Sequence, residues 1–355
     1  MPRKFIPLVL LSLLIVRFAP VAEAQQSRFS GVRRIIAIGD VHGDYDQLRR
    51  LLQSAGVIDE DGHWIAGETH LVFTGDLVDR GPNSAKVLDL VMDIEDQAAD
   101  EGGMVHVLLG NHEAMNLYGD LRYVASEDFA SYRTPNSERL REQYKAALLT
   151  QLEQEGQAPK TEAEKEAFDV QFEQQIPLGW VEQRQAFAPN GKYGKWLLDK
   201  NAVIQIDDTL FLHGGISAKY AKTSLDDINK EVRKELEGKA SVDGGIVTDE
   251  QGPLWYRDLA EGPEVDPAIL AGLDAALKTH QARRMVIGHT FVSSEMHPRF
   301  DGRVFAIDVG IADIYGGGMP AALSIESEQT PDGRRTRLSE LKDGQTRVLT
   351  TDVGR

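Results

Sequence analysis

Apolar residues along this chain come in short runs that stop at a glycine or a turn. Five of the runs hand over at once to aspartate, asparagine or histidine. Ile35–Ile38 leads into Gly39-Asp40-Val41-His42-Gly43, and Leu71–Thr74 into Gly75-Asp76-Leu77-Val78-Asp79-Arg80-Gly81. Val105–Leu109 leads into Gly110-Asn111-His112-Glu113, Thr209–Leu212 into His213-Gly214-Gly215, and Met285–Ile287 into Gly288-His289-Thr290. Apolar runs of this length, bounded by turn residues, predict buried strands. Strand ends converging on one edge of a sheet are where open α/β folds place their ligands.

Between the first three runs the period changes to that of a helix. Leu48, Leu51 and Leu52 sit at helical spacing, with Gly56 placed to terminate them. Asn83 or Ser84 is placed to cap a second helix carrying Val87, Leu88, Val91 and Ile94 on its apolar side, stopped by Gly102-Gly103. The order is β-α-β-α-β, and about 35 residues separate successive ligand groups, enough for right-handed parallel crossovers.

Residues from about 120 to 200 differ in character. Leu140, Tyr144, Leu148 and Leu152 recur every four residues, and Thr161 with Glu164 makes a capping box before Phe168, Phe172 and Ile176. Two amphipathic, highly charged helices are expected there, as a surface insertion or a cap over the site. From residue 202 the period is mostly that of strands: Ala202–Ile206, Val304–Asp308 and Ala322–Ser327 join the two runs already named. Pro331-Asp332-Gly333 and Lys342-Asp343-Gly344 supply turns for a tail of three short strands.

Composition narrows the picture. With 41% hydrophobic and 27% charged residues, the 355-residue chain is an ordered globular protein. Its net charge of −17 argues against nucleic acid or an anionic membrane surface as the main partner. The first 24 residues read as a secretory signal: Arg3 and Lys4, the apolar stretch Phe5–Val16, then Ala22-Glu23-Ala24. That stretch is well short of the roughly 20 residues needed to span a bilayer. A periplasmic or secreted protein with no stable membrane span after signal cleavage is therefore expected, residues 25–355 forming a single catalytic domain. Lacking cysteine, the chain makes no disulfide.

The five handovers offer enough donors for a two-metal site. Asp40 and His42, two apart beyond a strand, can turn toward one ion. Asp76 can bridge to a second through its two carboxylate oxygens, and Asn111, His213 and His289 would complete that second ion. Four of the nine histidines (His42, His112, His213 and His289) fall at these strand ends. Any one residue alone would be an ordinary cap or core group; the combination carries the inference.

These motifs resemble the phosphoprotein phosphatase branch of the calcineurin-like metallophosphoesterases. Gly110-Asn111-His112-Glu113-Ala114-Met115-Asn116, Phe211-Leu212-His213-Gly214-Gly215-Ile216 and Gly252-Pro253-Leu254-Trp255-Tyr256-Arg257 are similar to the Shewanella-like protein phosphatases. The resemblance spans about residues 33–310 and implies an α/β double-sheet sandwich flanked by helices, with the helical insertion. It implies two divalent ions, the first on Asp40, His42 and Asp76, the second on Asp76, Asn111, His213 and His289. Mn, Fe and Zn all suit such donors.

The implied reaction is phosphomonoester hydrolysis by direct attack of a metal-bridging hydroxide. His112 would be the general acid, oriented by Asp79. Arg80 and Arg257 would bind phosphate, and Glu113 would steady the site without ligating. The expected substrate is a phosphorylated protein or peptide, at tyrosine or at serine and threonine. Thr290-Phe291 follows His289 where many nucleotidases have a second His. Symmetrical dinucleotide tetraphosphatases also lack that His, so they, or another small-phosphoester hydrolase, are the alternative.

Overall fold

The computed structural model of the chain describes residues 26–291, 293–313 and 320–353. The expected signal segment 1–24 lies outside the described residues. Among them, no helix is long and apolar enough to cross a membrane.

Two six-stranded mixed sheets form the double sandwich, flanked by helices. One is built around β2 (Arg34–Ile38), β3 (His70–Phe73) and β4 (Met104–Val107), paired in parallel. The crossovers are the helices Tyr45–Ser54 and Ser84–Asp100, which bury Leu48, Leu51 and Leu52, and Val87, Leu88, Val91 and Ile94, as their spacing predicts. The other sheet runs β1 (Arg28–Phe29), β5 (Val203–Ile206), β6 (Thr209–Leu212), β7 (Arg284–Ile287), β9 (Val304–Ala306), β8 (Pro298–Arg299). The β6–β7 and β7–β9 pairs are parallel.

The tail differs from the expected short strands. It forms β10 (Ala321–Thr330), β11 (Gly333–Lys342) and β12 (Gln345–Val353), turned at the two sites foreseen. The strands are long because β10 adds antiparallel to β2, so the tail extends the first sheet. Strand β4 ends two residues earlier than its apolar run. Leu109 N donates to Asn201 O at 3.0 Å, so the chain leaves its own sheet there and stitches it to the other.

The insertion holds the two expected helices, Ser137–Gln154 and Glu162–Gln175, the second with its Thr161–Glu164 capping box. Three short helices accompany them: Ser126–Ser131, Trp180–Ala186 and Lys192–Leu198. Helices of six or seven residues carry too few turns to show a period. The Tyr144 ring lies 6.3 Å from Phe172 and 5.0 Å from Trp180, a small aromatic cluster that holds the long pair to its neighbour. Asn83 makes no side-chain cap for the helix Ser84–Asp100. That cap comes from the insertion: the buried Asp128 carboxylate accepts from Ser84 N at 2.8 Å.

Candidate metal centre

All five handovers meet at one place, three from the first sheet and two from the second. The backbone there is bent hard. His42, Asp76, Asp79, Arg80 and His289 have positive φ, of 48°, 54°, 68°, 65° and 70°. For residues with a Cβ that conformation is uncommon and costs about 1–3 kcal/mol each. Surrounding bonds hold it. Val41 N and His42 N both donate to Asp76 O, at 3.0 and 2.9 Å, and Gly288 N donates to His213 O at 2.8 Å. The buried Glu113 carboxylate accepts from Asp76 N, Leu77 N and Gly110 N at 2.7–2.8 Å, clamping two handover turns together. It steadies the site, as expected. Glycine is required where carboxylates pack on backbone: a Cβ at Gly288 would collide with Asp40 Oδ1, and one at Gly110 with Asp76 Oδ1.

The donor atoms fit cations. His213 Nδ1 lies 2.9 Å from Thr74 O, so it carries the hydrogen and leaves a lone pair on Nε2. Around that lone pair stand Asn111 Oδ1 at 3.0 Å, His289 Nδ1 at 3.1 Å and Asp76 Oδ2 at 3.2 Å. Neither oxygen has a hydrogen to offer; a metal ion reconciles such a group. His42 repeats the pattern. Its Nδ1 is 3.1 Å from Val78 O, and its Nε2 lies 3.8 Å from both Asp40 Oδ2 and Asp76 Oδ2. Asp76 thus belongs to both groups, but through the single oxygen Oδ2 and not one oxygen for each, because Oδ1 accepts from His112 N at 3.0 Å. His289 Nε2 is buried without a hydrogen-bond partner among the described residues, while its Nδ1 faces the donors.

Charge tells the same story. Burial and then Asp308 push the Asp40 carboxyl well above the usual range. Burial pushes Asp308 up to about 6; a bond from Gly310 N opposes this and Asp76 adds to it. Buried carboxylates so placed repel one another unless cations share the space. Burial, chiefly, lowers His42 to about 3 and His289 to about 2, keeping both in the neutral form that ligation needs. His213 is the exception. Burial lowers it, but Asp76 and Asp40 outweigh that and raise it to about 9, a proton taking the place an ion would fill.

His112 sits at the start of the helix Asn111–Tyr118. Its Nδ1 is 2.7 Å from Asp79 Oδ2, and its Nε2 is 3.8 Å from Asp76 Oδ2, facing the donor group. Burial disfavours its charged form, but Asp76 and then Asp79 outweigh burial and raise its pKa. Arg80 lies close enough to lower His42 and His112 electrostatically, and its guanidinium carbon is 5.2 Å from the Tyr123 ring. Arg257 reaches the site from the turn before the short helix Asp258–Glu261, where its Nη1 donates to His289 O and Thr290 Oγ1 at 3.2 and 3.1 Å. Every residue singled out for the site is therefore gathered there.

Three further residues belong to this neighbourhood and were not assigned from sequence. Asn116 Nδ2 donates to Asp79 Oδ1 at 2.8 Å; lying one helical turn after His112, it could have been found by spacing. Asp308 follows β9 and makes a sixth strand-end handover, hidden because the run Val304–Asp308 reads as one strand. Tyr123 lies in a loop of the insertion, where no periodic signal marks it.

Comparison with known proteins agrees with this arrangement. The calcineurin-like phosphoesterase family matches residues 33–293. Shewanella-like protein phosphatase 2 of Arabidopsis thaliana is 29% identical over 326 residues, covering 86% of this chain and 78% of the relative. The crystal structure of a cold-active protein-tyrosine phosphatase of a psychrophilic Shewanella species superposes with a TM-score of 0.68 at 30% identity, covering 92% and 83% of the two chains. A symmetrical bis(5'-nucleosyl)-tetraphosphatase of Cronobacter sakazakii is 42% identical over 76 residues only, covering 21% of this chain and 22% of that protein. With its strand ends, glycines and donors in these positions, the chain belongs to the calcineurin-like phosphoesterase family and is a metal-dependent phosphoric ester hydrolase.

Proposed function

We propose that the chain is a phosphoprotein phosphatase, with phosphotyrosine among its substrates, that acts by direct displacement without a covalent phosphoenzyme. The relatives named above motivate the substrate class. One observation carries the chemistry: His112, fixed by Asp79 at 2.7 Å, aims Nε2 at the donor group. Asp40, His42, Asp76, Asn111, His213 and His289 would hold two divalent ions, of Mn, Fe or Zn. When bound, such a pair supplies a water of lowered pKa and neutralises the phosphoryl oxygens. Asp79 keeps the hydrogen on His112 Nδ1, so Nε2 is the atom that protonates the departing oxygen. Arg80 presents its planar fork to the phosphate, and Arg257, anchored on His289 O, offers the rest of its own.

Residues 25–355 are read as one catalytic domain, a reading supported by the insertion's bonds between Asp128 and Ser84 N, just after the second handover turn, and from Gln183 and Arg184 to Asn116. A periplasmic or secreted location is part of the proposal. N-terminal sequencing of exported protein should find Gln25 first; a cytoplasmic chain that keeps its leader would refute it.

Turnover by the Mn-loaded protein on a phosphotyrosine peptide, a phosphoserine peptide and diadenosine tetraphosphate tests the function. Faster turnover of a phosphopeptide is expected. Preference for the dinucleotide would favour the small-phosphoester alternative that the 76-residue local match keeps open. No turnover of any of the three, with two ions bound, would sink the proposal.

A further inference from the structure

We propose that Tyr123 selects for an aromatic leaving group, its exposed ring face receiving the aryl ring of a phosphotyrosine side chain beside His112. This rests on the phosphatase reading and names the residue that gives it substrate preference.

Tyr123 is fixed from three directions. Its carbonyl accepts from Arg80 N at 2.9 Å. Its ring centroid lies 5.2 Å from the Arg80 guanidinium carbon, a cation–π distance. The ring is also 5.0 Å from the His112 imidazole, their planes inclined at 45°. Despite these contacts the residue is 39% exposed. A large aromatic pinned by its neighbours and still open to solvent is a binding face already ordered before any ligand arrives.

The position of that face follows from the chemistry. Arg80 binds the phosphate and His112 protonates the departing oxygen, so the first carbon of the leaving group must lie beside these two residues. Tyr123 touches both. A phosphotyrosine brings a ring to that place, where an offset or edge-on pair gains more than buried area alone. A phosphoserine brings one methylene, which gains little. A second aromatic borders the metal donors: Trp255 lies edge-on to His289, with ring centroids 5.7 Å apart at 87°.

The test is the ratio of kcat/KM for a phosphotyrosine peptide to that for a phosphoserine peptide of the same flanking sequence, measured on one metal-loaded preparation. Because it is a ratio, partial misfolding of a variant cancels. Tyr123→Leu should lower the ratio about tenfold, equivalent to about 1.4 kcal/mol, mainly through KM for the phosphotyrosine peptide. Tyr123→Phe and Tyr123→Trp, which keep an aromatic face, should hold the ratio within about threefold of wild type.

If Tyr123→Leu lowers both substrates equally, Tyr123 merely props His112 and the inference fails while the phosphatase reading stands. An unchanged ratio with unchanged rates also overturns it. If the wild-type protein turns over neither peptide, the phosphoprotein reading and this inference fall together.

Discussion

The side-chain amide of Gln183 donates to Asn116 Oδ1 at 2.6 Å, and through this contact the helical insertion reaches the proton donor. Asn116 passes the order on: its Nδ2 donates to Asp79 Oδ1 at 2.8 Å and to His112 O at 3.0 Å. Asp79 in turn holds His112. Arg184, beside Gln183, donates to Asn116 O at 2.6 Å. The insertion is thus part of the site's construction as well as its surroundings.

Asn116→Asp should expose that dependence. The substitution replaces a donor to Asp79 by a second carboxylate at hydrogen-bond distance, inside a buried pocket. A hydrogen bond to a charged group is worth about 1.5–3 kcal/mol, so kcat should fall about 10- to 100-fold with metal content unchanged. Gln183→Ala, one contact further out, should lower kcat by a smaller factor, about threefold. Steady-state kinetics with metal analysis on the same samples checks both. Full activity in Asn116→Asp would show that Asp79 needs no outer support.

His112→Asn separates acid from ligand. The donor atoms of His42, Asp76 and His112 lie within 4.8 Å of one another, so geometry alone would let His112 ligate. As a general acid its loss should lower kcat by roughly 10²–10⁴ while two ions stay bound. The loss should shrink for an aryl phosphate with a good leaving group, which needs less protonation. Loss of an ion from the variant would make His112 a ligand instead.

The six proposed metal donors were legible because each lies within a few residues of the end of an apolar run, and polar donors repeated at five strand ends imply a shared site. Asp79, Arg80 and His112 were legible because they share a turn with a donor, and Arg257 because it ends the motif Gly252–Arg257 that carries the family resemblance. What stayed hidden depends on distant parts of the chain. Asp128 caps a helix 44 residues earlier, and no local pattern announces it. Strand β10 pairs with β2 across most of the sequence, so the tail reads as a separate meander until the sheet is seen whole. Asp308 was visible as a letter but was absorbed into the strand before it. Tyr123 owes its place to the backbone of Arg80, a contact with no signature in composition or period.

Stability should depend on pH through a pair far from the phosphate site. His106 Nε2 lies 2.9 Å from His70 Nδ1 in the first sheet. Burial, then His70 and Lys200, lower His106 to about 3; burial also lowers His70. Both folded-state values lie below the unfolded value of about 6.5, so the unfolded chain takes up protons first on acidification. Their contribution is intact above pH 6.5 and is lost as pH falls below it, by at most about 1.4 kcal/mol per pH unit for each group. His106→Leu removes that sensitivity and the partner bond together. Its unfolding free energy should start below wild type at pH 7.5 and close the gap by about 1–2 kcal/mol at pH 5. Denaturant melts at the two pH values measure it; a constant gap would place the titration elsewhere.

Removing the ions should reveal how the site's charge is balanced. Asp40, Asp76 and Asp308 are each about 98% buried, and Asp308 adds to the cost of ionising Asp40 in the absence of a cation. Two tightly held ions at saturating concentration contribute several kcal/mol to folding, so chelation should lower Tm by about 5–15 °C for a chain of this size. Asp308→Asn then discriminates. It keeps an oxygen for Gly310 N, which donates to Asp308 Oδ1 at 3.1 Å, and deletes one negative charge. In chelated protein this relieves repulsion, and Tm should rise relative to chelated wild type. In metal-loaded protein the same change removes attraction to the ions, and Tm should fall or stay level. Thermal melts of wild type and variant in both states give the four values needed. A shift of the same sign in both states would mean that Asp308 acts through packing and not through the charge of the centre.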